Sequence, residues 1–120
     1  MLRAFFLGFI QIHLLHHAVQ EPIYGAAMIA ELKRHGYDLS PGTLYPVLHT
    51  MEEEGYLAHT NRVVEGKVRK YYTATEAGRR TLEELLPKLR ELVSEVLEGQ
   101  EPAYLPAPEE TFQEEEVNPE

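Results

Sequence analysis

The sequence has no cysteine and no tryptophan, and only 11 basic residues against 20 acidic ones. Without cysteine, a disulfide scaffold, a thiolate nucleophile and a cysteine zinc site are excluded, and folding must rest on packing. A length of 120 residues allows one domain with a core but not comfortably two. The opening stretch MLRAFFLGFIQIHLLHHA is apolar, but Gln11 and His13 interrupt it. It lacks a basic n-region and a small-residue cleavage site, and reads as too short and too polar to span a bilayer. The expectation is the first helix of a cytoplasmic protein with no membrane partner.

A formal charge of -9 argues at first against a nucleic-acid partner. The distribution reverses this. Seven of the 20 acids lie between Gly99 and Glu120, where there is no Lys or Arg. Residues 1–98 therefore hold 13 acids against all 11 bases, a net of -2. The acidity is mostly that of a tail, whose Pro and Glu content cannot bury enough surface to offset its ordering entropy. Disorder is expected for 99–120.

Four helices and one hairpin follow from the pattern. The first runs from Leu2 to about His17, with Phe5, Phe6, Phe9, Ile10, Ile12 and Leu14 spread over more than one face. The second follows Tyr24, with Met28, Ile29 and Leu32 inward and Gly36 as its stop. Ser40 and Pro41 form a cap and first-turn pair for the third, which should end at Gly55. YLAHTNRVV and KVRKYYTAT, joined around Glu65-Gly66, read as a β-hairpin. Thr75 caps a long fourth helix that Pro87 should bend. Three helices, a hairpin and a terminal helix make a mainly α fold with a small β-hairpin, the layout of a winged helix-turn-helix. The boundaries expected are 1–74 for that domain, 75–98 for the last helix and 99–120 for the tail.

The third helix carries an unusual Pro46. Steps of 100° put Leu44, Val47, Leu48 and Met51 on a buried stripe and Gly42, Pro46, His49 and Glu53 opposite. A proline here leaves the carbonyl of Gly42 without its helical partner, at about 3 kcal/mol in a regular interior, and less where water can satisfy it. Gly42, Thr43 and Pro46, small or flat, let the backbone approach another surface. The helix N-terminus favours an anion such as phosphate. Glu52, Glu53 and Glu54 stand at the far end, away from a groove entered N-terminus first.

The run SPGTLYPVLHTMEEEGYL, preceded by PIYGAAMIAEL and followed by RKYYTATEAGR, resembles the PadR family of bacterial transcriptional regulators, approximately over Leu2 to Leu97. The resemblance implies a winged-helix DNA-binding domain, a homodimer built through the first and last helices, and repression relieved by a small-molecule effector. Tyr24 and Gly25 match the start of the family's second helix, Ser40 through Pro46 the opening of its recognition helix, and Arg69, Lys70 and Tyr72 its second wing strand. The sequence departs from the family in its His13, His16 and His17, where an aliphatic first helix is typical. It also lacks the interface tryptophan that some members use to stack a ligand.

In the hairpin, alternation sets Lys67, Arg69, Tyr71 and Thr73 on one face and Val68, Tyr72 and Ala74 on the other. Arg62, Lys67, Arg69 and Lys70 suit phosphates, while Thr43, Tyr45 and His49 suit base edges. The DNA-binding set expected is Tyr24, Ser40, Thr43, Tyr45, Pro46, His49, Lys67, Arg69 and Lys70. Leu82, Leu85, Leu89, Leu92 and Val96 form a heptad seam, expected at the dimer interface. His13, His16 and His17 have a spacing that could meet a transition metal, but no carboxylate motif or cysteine completes a site, and polar residues at a helix end are the preferred reading. No Gly-rich phosphate loop or catalytic constellation is present, so neither enzymatic activity nor a cofactor is expected. The alternative is a winged-helix protein-interaction module without DNA binding, which the acidic total would suit.

Overall fold

A computed structural model describes residues 1–99 of the chain. The acidic tail expected to be disordered lies, from Gln100 on, outside the described residues. The order is α1 (Leu2–Gln20), α2 (Gly25–Arg34), α3 (Pro41–Glu53), β1 (Leu57–Val64), β2 (Lys67–Ala74) and α4 (Glu76–Val96). A first compact unit spans Met1–Glu84 and a second begins at Leu85, so the division falls inside α4. This is the winged helix-turn-helix architecture, mainly α with one hairpin.

The core of the first unit draws on every element. Ile10, Leu14, Leu15 and Ala18 come from α1, Met28 and Leu32 from α2, and Leu44, Leu48 and Met51 from α3. Leu57, Tyr72 and Leu82 close it, and no polar or charged residue is buried among the described residues. Val47 and Ile29 pack against this cluster half-buried, as the helical periodicity predicts.

Glycine ends α2 and α3 in the same way. Gly36 and Gly55 sit at φ +94° and +92°, a conformation that a side chain resists. Each turn is closed by the next amide reaching back, Tyr37 N–H to Leu32 O at 2.9 Å and Tyr56 N–H to Met51 O at 2.9 Å. The strands pair antiparallel from Leu57↔Ala74 to Val64↔Lys67 around a two-residue turn at Glu65-Gly66, both at positive φ as a type I′ hairpin requires. Ile23, just ahead of α2, bridges to Tyr72 by two backbone bonds of 2.9 and 2.7 Å, and so fastens the hairpin to the helical body.

Thr75 caps α4 as expected: its Oγ1 accepts from Gly78 N–H at 3.0 Å and donates to Gly55 O at 2.6 Å. Three expectations need correction. The first helix reaches Gln20 rather than His17, and at 19 residues it has the length and composition of a membrane span. Four of its residues, Ile10, Leu14, Leu15 and Ala18, are buried in the protein core. Ser40 stands at the N-cap of α3 but makes no side-chain cap bond; its hydroxyl points to Thr43 Oγ1 at 3.4 Å. Val68 shares its hairpin face with Tyr72 but is 69% exposed, because the core below the hairpin ends at Tyr72. Leu82, expected in the seam, is 8% exposed and belongs to the core of its own chain. The first turns of α4 are thereby tied into the first unit, beyond the boundary expected at residue 74.

Candidate nucleic-acid interface

A groove of about 1160 Å³ opens between the start of α2, the outward face of α3 and the hairpin. Tyr24, Tyr45, Pro46, His49, Lys67, Arg69 and Lys70 all line it, so seven of the nine residues expected at a DNA surface converge there. Ser40 and Thr43 lie outside the groove, at the N-terminus of α3. With the Ser40 hydroxyl turned toward Thr43, no side chain caps that terminus.

The floor depends on one glycine. A Cβ on Gly25 would collide with the ring edge and hydroxyl of Tyr45, so the absence of a side chain at Gly25 is what lets α3 carry this aromatic residue against the first turn of α2. Tyr45 remains 44% exposed on its other side. Pro46 and His49, also exposed, continue the same face.

The wing wall carries a cluster of aromatic and cationic groups that alternation alone did not reveal. The Arg69 guanidinium lies 4.1 Å from the Tyr24 ring centroid, and Arg62 lies 4.3 Å from that of Tyr71. The two tyrosine rings are 5.2 Å apart. Arg69 Nη1 donates to Tyr71 Oη at 3.4 Å, and this bond is the main cause holding the guanidinium pKa above its usual value. The sequence signal was present in the i, i+2 spacing of Arg69 and Tyr71, but Tyr24 is 45 positions away from Arg69 and only the fold joins them.

Two of the three glutamates at the end of α3 have histidine partners. Glu52 Oε2 lies 2.7 Å from His59 Nδ1 on β1, and Glu53 Oε2 lies 3.2 Å from His49 Nε2. The first contact locks the wing base to α3. The second turns a carboxylate toward a groove residue rather than leaving it wholly at the far end.

The histidines of α1 do not converge. His13 stacks on His35 with centroids 4.9 Å apart and meets Tyr37 edge-on at 5.6 Å, while the His16 and His17 rings lie 5.0 Å apart. His17 and His35 both approach Glu31, at 3.5 and 3.0 Å. Burial, then His35, His17 and His16, lower the His13 pKa from its ordinary value. Among the described residues no three such groups are placed to hold a metal ion.

Beyond Leu85, α4 leaves Leu86, Leu92, Val93, Val96 and Leu97 exposed, and Leu85 and Leu89 half-buried. In the first unit, the N-terminal turns of α1 leave Leu2, Phe5, Phe6 and Phe9 at 44–61% exposure.

Comparison with known proteins agrees with this geometry. Residues 14–84 match the family model described as the transcriptional regulator PadR-like family. The transcriptional regulator Rv3488 of Mycobacterium tuberculosis is 48% identical over 99 residues, which cover 82% of this chain and 92% of that protein. Among solved structures, a PadR-like transcription factor from Bacteroides fragilis is 27% identical with a TM-score of 0.70, covering 82% of this chain and 96% of that one. A PadR family transcriptional regulator from Eggerthella lenta is 33% identical with a TM-score of 0.67, covering 76% and 80%. The chain therefore belongs to the PadR-like family of transcriptional regulators.

Proposed function

We propose that this regulator acts by binding double-stranded DNA as a homodimer in the cytoplasm, repressing transcription until a small-molecule effector relieves it. The observation that carries the reading is the convergence of α3 and the wing on one groove, with Tyr45, Pro46 and His49 on one wall and Lys67 and Lys70 on the other. The start of α3 enters the major groove, where Thr43, Tyr45 and His49 meet base edges, and its side-chain-free N-terminus faces a phosphate near Ser40. The wing lysines take the flanking backbone and supply affinity without sequence preference. Tyr24 shapes the floor between these walls.

Dimerisation is supported by the apolar groups that α1 and the distal part of α4 leave uncovered. A two-fold dimer places its half-sites about one helical turn apart, roughly 34 to 36 Å. Effector control rests on the family resemblance. Recovery of the genomic fragments bound by the full chain, followed by titration of the recovered site at several salt concentrations, tests the reading. A linear fall of log affinity with log salt is expected. Affinity indifferent to salt, or recovery of a partner protein without DNA, overturns it in favour of a protein-interaction module.

A further inference from the structure

Arg69 differs from the other wing cations in what its side chain already touches. One face of its guanidinium is covered by the Tyr24 ring at 4.1 Å, and Nη1 is engaged by Tyr71 Oη. Lys67 and Lys70 are exposed and have no ion-pair or side-chain hydrogen-bond partner among the described residues. The hairpin register also sets Arg62 directly opposite Arg69, a like-charge pair that by itself disfavours the ladder. Each guanidinium instead lies over a different tyrosine ring.

The mechanics of the ribbon give that arrangement a purpose. The Ile23↔Tyr72 bridge fixes only the base of the wing, and past it Val63 and Val68 are 73% and 69% exposed with no core beneath them. A two-stranded ribbon without a packed face is marginal in water. The stack of Arg69 on Tyr24 lies three residues beyond the bridge on the same strand, and ties the free ribbon to the N-cap residue of α2.

We infer that Arg69 is a positioning residue of the wing and not a phosphate ligand: clamped between Tyr24 and Tyr71, it sets the angle at which Lys67 and Lys70 meet the DNA backbone. This inference rests on the DNA-binding reading above. Lysine cannot replace it, because an ammonium keeps the charge but lacks the planar fork that stacks and donates sideways.

The test compares Arg69→Lys, Arg69→Ala, Tyr24→Leu, the Tyr24→Leu/Arg69→Ala double variant and Lys67→Ala in the full chain, using one recovered DNA site. Arg69→Lys and Arg69→Ala should both bind about tenfold more weakly, in line with loss of a partly desolvated cation–ring contact. Both should keep the wild-type dependence of log affinity on log salt, whereas Lys67→Ala should flatten it by about 0.9, the value of one phosphate contact. The double variant should lose less than the product of its two single losses. Without DNA, amide exchange across Asn61–Lys70 should quicken in Arg69→Lys while that of Tyr72 holds. Wild-type affinity in Arg69→Lys, a slope flattened by about 0.9 in Arg69→Ala, or unchanged exchange would each overturn the inference. Absence of salt-dependent binding by the wild-type chain would instead remove the DNA-binding reading, and is distinguishable because no variant would then differ in affinity.

Discussion

The ring edge and hydroxyl of Tyr45 occupy the space that a side chain at Gly25 would need. Two residues 20 positions apart, one on the outward face of α3 and one in the first turn of α2, are thus in direct steric register: with the ring where it lies, position 25 has room only for glycine. Because the colliding atoms are the far end of a side chain that is 44% exposed, Tyr45 can swing outward. Gly25→Ala should therefore cost little stability, about 1 kcal/mol or less by urea titration, since alanine also favours the helix. It should weaken DNA binding at least as much as Tyr45→Ala, because the displaced ring stands in the path of the DNA. A Gly25→Ala protein with wild-type affinity would show that the Tyr45 position is immaterial to recognition.

The wing lysines supply the second prediction. Lys67 and Lys70 are exposed on one wall of the groove, and their joint replacement by alanine should weaken binding to every DNA sequence by a similar factor. The salt dependence should fall by about two units of slope, one for each lost phosphate contact. Loss confined to one DNA sequence would mean that a lysine reads a base.

Much of this fold was legible because local chemistry and tertiary packing agree. Thr75, Gly36, Gly55 and the Glu65-Gly66 turn all punctuate the chain where their chemistry demands, and the 3.6-residue stripe of α3 buries Leu44, Leu48 and Met51. What the sequence hid were contacts between distant positions. Tyr24 with Arg69, Gly25 with Tyr45 and Glu52 with His59 each join different elements, and periodicity is silent about such pairs. Leu82 shows the complementary failure. It continues the leucine repeat of α4 without a break, but the first turns of that helix lie over the domain core and only the later ones leave apolar groups uncovered.

That difference yields a prediction about assembly. Leu92→Glu, at a position 52% exposed in the single chain, should leave folding intact and cost several kcal/mol of association if a second copy covers it. Leu82→Ala should do the reverse, lowering unfolding stability by about 2 to 5 kcal/mol through a cavity. Sedimentation beside urea titration separates the two. An unchanged dimer in Leu92→Glu removes this part of α4 from the interface.

The last prediction concerns acid. Burial first, and then the neighbouring His35, His17 and His16, disfavour a proton on His13, with Glu31 partly opposing them. Its folded-state pKa lies below the ordinary histidine value of about 6.5, so on acidification the unfolded chain takes up this proton first. Stability should therefore decline as pH falls from about 6.5 through the lowered value, and level off beneath it. Glu31 acts in a separate window: hydrogen bonds from Arg34 and His35 hold its carboxyl below the usual range. Its contribution is complete above about 4.3 and disappears only as pH falls through the lowered value. His13→Phe keeps an aromatic ring against His35 and Tyr37 but cannot titrate, so it should abolish the first decline and preserve the second. Urea midpoints measured from pH 8 to pH 3 decide the matter. If His13→Phe loses stability between pH 6.5 and 5 as steeply as the wild type, the proton is taken up elsewhere.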